Sequence, residues 1–227
     1  TELRDRYDWF PDRGQTVQVR DVPSEFGGAP DTVRHGGKGA NQAVAAAKAG
    51  AETVMLGKVG PDHETVGVLD RLAAAGVGVD TVGISAEQTG TADVFVDPAG
   101  DNRIVVRPGA NGTVDAAYVR AQYDTIRSAE CLLVQNEIPA EPVVTLLSEL
   151  AAERDRPVVV LDPAPVDGVD ALLECDAVDY LTPNETEYRA LQPSLGEFDG
   201  VLVRKRGADD VVVEAERRFT VTPPPVD

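Results

Sequence analysis

"CLLVQNEI", residues 131–138, sets four apolar residues in a row and then places Gln135, Asn136 and Glu137 directly after them. A run this short, with no helical spacing of its polar positions, fits a strand buried in a sheet. "PVVVL" (157–161) and "VDYLT" (178–182) repeat the pattern, with helix-like segments between the three runs. Dense apolar strands alternating with helices imply parallel strands joined by helical crossovers. The fold class that follows is α/β: a Rossmann-like, mostly parallel sheet flanked by helices.

The same alternation extends toward the N-terminus. Residues 40–49 read as a small-residue helix closed by Gly50, and "TVMLGKV" (53–59) as a strand. "HETVGVLDRLAAAG" (63–76) reads as one amphipathic helix ending at Gly76. A further helix is expected over 115–128, with Val119, Tyr123 and Ile126 on one stripe. Two stretches differ. "GQTVQVRDV" (14–22) and "GTADVFVDPAGDNRIVVRPG" (90–109) alternate polar with apolar residues, the second about an Asp-Pro-Ala-Gly-Asp turn. Both read as antiparallel strands with one wet face. They are expected to pair as a small β lid, formed by about 14–35 and 90–108, on a single α/β domain spanning 1–227. The proline run in "TPPPVD" (222–227) cannot enter a sheet and reads as a rigid connection.

A net charge of −18 excludes the basic surface that nucleic-acid binding needs. No stretch approaches the ~20 apolar residues of a membrane span, and no leader pattern opens the chain, so a cytoplasmic protein is expected. Cys131 and Cys175 lack metal-ligand spacing and are expected as reduced core residues. Only 4 lysines stand against 17 arginines, and the acids are dispersed, which points to a protein adapted to high salt.

In open α/β sheets, ligands bind beyond the carboxyl ends of the strands. Those ends carry Gln135, Asn136 and Glu137, then Asp162, then Asn184 to Glu187 in "TPNETE". Local readings exist: Thr182 and Glu185 are spaced as a capping box with Pro183 at N1, and Asp162–Pro163 is a common turn pair. Three successive strands with polar groups at one end nevertheless favour a binding cleft, which Glu137 is expected to face. Asn184 and Glu187 are three apart, hence on one face of a first helical turn, where they could hold Mg²⁺ through water and orient a phosphate chain. "HGGKGANQ" (35–42) is not a Walker A loop, because Lys38 is followed by Gly39 with no Ser or Thr. Its glycines also miss the dinucleotide spacing. What remains is a backbone open to close approach beside Lys38 and Asn41, a set suited to hydroxyl groups.

These residues together resemble the phosphofructokinase-B-type carbohydrate kinase family. "GGKGANQAVAAAKAGA", "MLGKVGPD", "GVGVDTV", "TGTADVFVDPAGDNRIVVRPGAN", "VQNEIP", "LDPAPV" and "LTPNETEY" follow in that family's order across nearly the whole chain. The resemblance implies a Rossmann-like domain whose β lid often forms a homodimer contact. It implies ATP and Mg²⁺, leaves room for a monovalent cation such as K⁺, and gives transfer of the γ-phosphate to the primary hydroxyl of ribose. Gly37, Lys38 and Asn41 would contact the sugar, with Glu137 on the opposite wall. Asn184 would touch the nucleotide phosphates and Glu187 would place Mg²⁺. The family's Thr-x-Gly-x-x-Gly nucleotide turn falls on 205–210, where Gly207 is kept, Lys205 stands for the threonine and Asp210 for the second glycine.

The family's opening Gly-Ser-x-Asn-x-Asp element has no match at the N-terminus. Its Asp-Thr-Thr-Gly-Ala-Gly-Asp motif, whose last aspartate is the catalytic base, would begin at Asp227, so that base is expected past Asp227. The alternatives are another sugar or nucleoside kinase of the family, such as a fructokinase or a 2-keto-3-deoxygluconate kinase, or a non-catalytic sugar-binding homologue.

Overall fold

The computed structural model describes residues 6–12, 15–19 and 34–224, and the chain divides into two units, 1–113 and 114–227. The first unit begins with β1 (Thr16–Gln18), then α1 (Lys38–Lys48), β2 (Thr53–Val54) and β3 (Lys58–Val59). It continues with α2 (His63–Val66), α3 (Val68–Ala74), β4 (Val77–Gly78) and β5 (Gly83–Ile84). The hairpin strands β6 (Thr91–Val96) and β7 (Asn102–Arg107) and a 3₁₀ turn, Gly109–Thr113, complete it.

Helix α1 forms and ends as its sequence indicates: Ala43 packs with Leu72 and Val77 in a small core, and Gly50 follows at φ 95°. Three expectations change. The strand over 53–59 splits in two, β2 pairing with β4 and β3 with β5, both parallel. The helix over 63–76 breaks at Gly67, which at φ 70° caps α2 and starts α3; a lone glycine can take that left-handed conformation at no side-chain cost.

The third change concerns the flap. β6 and β7 form the expected antiparallel hairpin, its turn held by Asp97 Oδ1, which accepts from Ala99 N and Asp101 N at 2.9 and 3.1 Å. β1 joins this sheet beside β7, but parallel to it. Alternation fixes which face of a strand is wet, not its direction, so an antiparallel reading had no local support. Residues 14 and 20–33 of the expected lid, like 225–227, lie outside the described residues.

The second unit carries α4 (Ala116–Ala121), α5 (Tyr123–Ser128), β8 (Cys131–Gln135), α6 (Ala140–Ala151) and β9 (Val158–Asp162). After them come α7 (Asp170–Leu173), β10 (Tyr180–Leu181), α8 (Glu185–Leu191), β11 (Val201–Arg204), β12 (Val211–Glu214) and β13 (Arg218–Val221). The expected helix over 115–128 is two: Asp115 caps α4 by accepting from Tyr118 N at 2.9 Å, and the helix breaks at Gln122, where ψ is 1°. The sheet order is β13-β12-β11-β10-β9-β8. Strands β8 to β10 are parallel, as expected; β11, not foreseen, continues the parallel run, and β12 and β13 add antiparallel strands at one edge.

In α6 the buried residues Val143, Leu146, Leu147 and Leu150 recur at helical spacing. With Val159, Leu161, Leu172 and Leu181 they form the core of this unit, each such side chain worth about 1.5–3 kcal/mol of burial. Leu133 and Val158, on strands expected to be buried, and Tyr180 are exposed. Cys131 is exposed and Cys175 half-buried, so neither free thiol is the core residue expected.

Candidate active site

In the first unit, Gly37 is the N-cap of α1 at φ 96° and ψ 139°. That conformation penalises any Cβ, so glycine is required there by the backbone alone. A Cβ on Gly36 or Gly37 would meet nothing within 4 Å, so the main chain stands open in front of the helix. Lys38 opens α1 and is half-buried; Asn41, one turn later, is exposed. At this spacing both lie on one face of the helix.

In the second unit, the strand ends carry the polar groups. Gln135 at the end of β8 pairs in register with Asp162 at the end of β9. Asn136 is buried and donates through Nδ2 to Pro165 O and Asp167 O at 2.6 and 2.8 Å. It therefore ties the loop after β9 to the end of β8, and Glu137, half-buried, follows immediately.

Strand β10 is only two residues long, yet the chain stays extended past it: Thr182 N donates to Leu161 O at 2.9 Å and Pro183 O accepts from Lys205 N at 2.8 Å. Helix α8 therefore cannot start until Asn184. This corrects the expected capping box at Thr182 and Glu185, which sits two residues later, on Asn184 and Glu187. Asn184 Oδ1 accepts from Thr186 N and Glu187 N, each at 2.9 Å. Glu187 accepts from Asn184 N on one carboxylate oxygen and from Asn184 Nδ2 on the other, each at 2.7 Å. The proposed phosphate contact and the proposed Mg²⁺ residue are thus brought together, and each holds the other.

Lys205 pairs in register with Asn184 across an isolated parallel bridge. Its Nζ reaches over the end of β10 to Asp162 Oδ2 at 3.0 Å. The sequence reading noted Asp162 but assigned it no role; an acid and a base at strand exits on either side of a short strand was the available signal. Gly207 sits at φ 65° in the turn between β11 and β12, with open space where a side chain would stand. Before that turn, Arg204 lies 3.9 Å over the Tyr188 ring and pairs with Glu185 and Glu214 at 2.9 and 3.4 Å. This fixes α8 against β11, and the Arg204 guanidinium beside Glu185 holds that carboxyl below the usual range. Among the described residues, no group of three or more His, Cys, Asp or Glu is placed to hold a metal ion, and no helix is long and apolar enough to cross a membrane.

The profile of the pfkB family carbohydrate kinases matches residues 15–214. A ribokinase of Bacillus subtilis (strain 168) is 41% identical over 164 residues, 70% of this chain and 54% of its own length. A ribokinase of Lactococcus lactis subsp. lactis (strain IL1403) is 35% identical over 218 residues, 93% of this chain and 68% of its own. The chain thus spans little more than half the length of the first relative. Among solved structures, a ribokinase from Thermotoga maritima superposes with a TM-score of 0.70 at 28% identity, covering 93% of this chain and 74% of that one.

Proposed function

The chain belongs to the pfkB family of carbohydrate kinases, and from that premise we propose that its protein is an ATP-dependent ribokinase. It would transfer the γ-phosphate of ATP to the primary hydroxyl of ribose in the cytoplasm. The observation that carries this reading is the row of polar side chains beyond four successive parallel strands, Glu137, Asp162, the Asn184–Glu187 pair and Lys205, where α/β sheets bind ligands.

In this reading Gly37, Lys38 and Asn41 are the sugar-binding residues of the first unit, and Glu137 is that of the second. Asn184, Lys205 and Gly207 serve the nucleotide. Glu187 fits Mg²⁺ in the ion's common mode, in which one or two carboxylates act alongside waters and substrate phosphates. Each of its oxygens accepts one hydrogen bond and keeps a lone pair for a metal-bound water. Glu187 would hold the ion through water, with Asn184 beside it, and the charge of the ion would offset the negative charge of the phosphates during transfer. The three-stranded sheet of β1, β7 and β6 would act as a lid that excludes water from the sugar. Val94 and Val96, exposed on β6, give it an apolar surface that a second copy would cover in a homodimer.

A panel of pentoses, hexoses, keto-deoxy sugars and nucleosides, assayed by ADP release with the full-length protein, tests the reading. Ribose should give the highest kcat/KM. Preference for a hexose, a keto-deoxy acid or a nucleoside would transfer the assignment to that substrate. ADP release with no acceptor in the panel would refute the kinase reading.

A further inference from the structure

The stretch "GKVGPD" (57–62) carries none of the roles assigned above, yet both roots of the β6–β7 hairpin are bound to it. On the entry side, Thr89 stands just before β6. Asp62 Oδ1 accepts from Thr89 N at 2.9 Å and from Thr89 Oγ1 at 2.7 Å, and the same hydroxyl accepts from Gly60 N at 3.0 Å. Asp62 occupies the N-cap of α2 but makes no side-chain capping bond there, because its carboxylate is turned to Thr89. The Thr89 N–H and hydroxyl hold that carboxyl below its usual range, so both bonds are charge-assisted at neutral pH and stronger than neutral ones. On the exit side, the Lys58 ammonium donates to Thr113 O at 2.6 Å, at the end of the 3₁₀ turn that follows β7.

Between these anchors the two roots meet backbone to backbone. Ala110 N donates to Gln88 O at 2.8 Å. A Cβ on Gly90 would lie 2.6 Å from Pro108 O, and one on Gly109 would collide with Gln88 O. Beyond the roots, β1, β7 and β6 pair only with one another among the described residues. No ladder ties their sheet to β2–β5, which leaves the held roots to fix how the hairpin stands on the first unit. A hairpin gripped at both roots by one loop, with glycine at each root, turns as a unit about that loop.

We propose that Lys58 and Asp62 form a clasp on which the lid pivots, and that Asp62, through Thr89, is a positioning residue for the acceptor sugar. This rests on the kinase reading above and on the lid role given there to the three-stranded sheet. A lid fixed at its pivot closes without first having to be ordered, so acceptor affinity and exclusion of water depend on the clasp while nucleotide affinity does not.

The test uses the full-length protein with Asp62→Ala, Asp62→Asn, Thr89→Val and Thr89→Ser. Readouts are the KM for ribose, the KM for MgATP, ATP hydrolysis without sugar, and amide hydrogen exchange over residues 87–113. Asp62→Ala and Thr89→Val should raise the ribose KM roughly 5- to 30-fold, with the MgATP KM within about twofold of the parent. Hydrolysis without sugar should rise several-fold, because a loosened lid admits water. Thr89→Ser keeps the hydroxyl and should recover most of the loss. Asp62→Asn keeps the acceptor without the charge and should fall between parent and Asp62→Ala, so it reports even if Asp62→Ala folds poorly. In both Asp62 variants, exchange should quicken at the two roots, 87–90 and 108–113, and keep the parent's rate in the ladder between them.

Exchange that quickens through the whole of 87–113 would mean that the hairpin melts and Asp62 only supports the fold. Ribose and MgATP KM values that rise together, or a Thr89→Ser as impaired as Thr89→Val, would overturn the clasp as well. A parent that phosphorylates ribose, with root exchange and ribose KM indifferent to Asp62, overturns the clasp and leaves the kinase reading standing. A parent that releases no ADP with any sugar overturns the kinase reading, and the acceptor role of the clasp with it.

Discussion

Glu187 does two jobs in the proposed site, and two substitutions separate them. As the N3 residue of α8 it accepts both capping hydrogen bonds from Asn184, each at 2.7 Å and exposed to water. Replacing it by Ala removes both and should cost about 1–2 kcal/mol. In a domain of this size that lowers Tm by roughly 2–8 °C. Glutamine also serves at N3 of a capping box and can keep the bond from Asn184 N, losing only the one from Asn184 Nδ2, so Glu187→Gln should cost about 1 kcal/mol or less. What glutamine cannot supply is the negative charge for a metal-bound water. The Mg²⁺ concentration for half-maximal turnover should therefore rise about 10- to 100-fold in both variants, as for other residues that orient a metal's ligands. The assays are thermal unfolding without nucleotide and a Mg²⁺ titration of turnover at saturating ribose. If Glu187→Gln kept the parent's Mg²⁺ dependence, the carboxylate would be a helix cap alone. If the ribose KM rose in step with the Mg²⁺ requirement, the residue would belong to the sugar side.

Two further outcomes are expected. Arg156 grips Asp179 through two hydrogen bonds of 2.7 and 2.9 Å, and with the Val159 N–H it holds that carboxyl below its usual range. A carboxyl depressed on folding contributes stability that is fully present above its unfolded pKa of about 3.9 and is lost as pH falls through the folded value. Asp179→Asn should thus cost about 1–3 kcal/mol at pH 7 by urea unfolding, with the gap to the parent closing below about pH 4; a gap constant down to pH 3 would contradict this. The net charge of −18 is self-repulsive at low salt. Raising KCl from 0.1 to 1 M shortens screening from about 10 to 3 Å, so the urea midpoint should rise, and equal midpoints in low and multimolar KCl would remove the case for high-salt adaptation.

What could be read from the sequence follows the range of the interaction. Strands β8 and β9 were legible because four or five apolar residues in a row have few other uses, and α1 because Gly50 ends it locally. The Asp97 turn was legible because the aspartate bonds its own neighbours. The parallel approach of β1 to β7 was not, since it joins residues nearly ninety positions apart and leaves no local trace. The breaks at Gly67 and Gln122 were hidden because the apolar stripe continues across both.

The cap of α8 shows how close the sequence came. Both Thr182-x-x-Glu185 and Asn184-x-x-Glu187 satisfy the capping-box spacing, and Pro183 favoured the first. Long-range bonds decided for the second, because Leu161 and Lys205 hold residues 182 and 183 extended as part of the sheet. The same bonds explain why the candidate site residues are already partnered: Asn184 with Glu187, and Lys205 with Asp162. A side chain locked by its neighbour before any ligand arrives loses little freedom when the ligand binds, which is what preorganised binding of a charged group requires. At Asn184, Glu187 and Lys205 the proposed functional roles therefore coincide with structural ones, and loss of activity in an alanine variant cannot separate them. A substitution that removes the charge yet can still accept from the Asn184 backbone N–H, such as Glu187→Gln, comes closest to doing so.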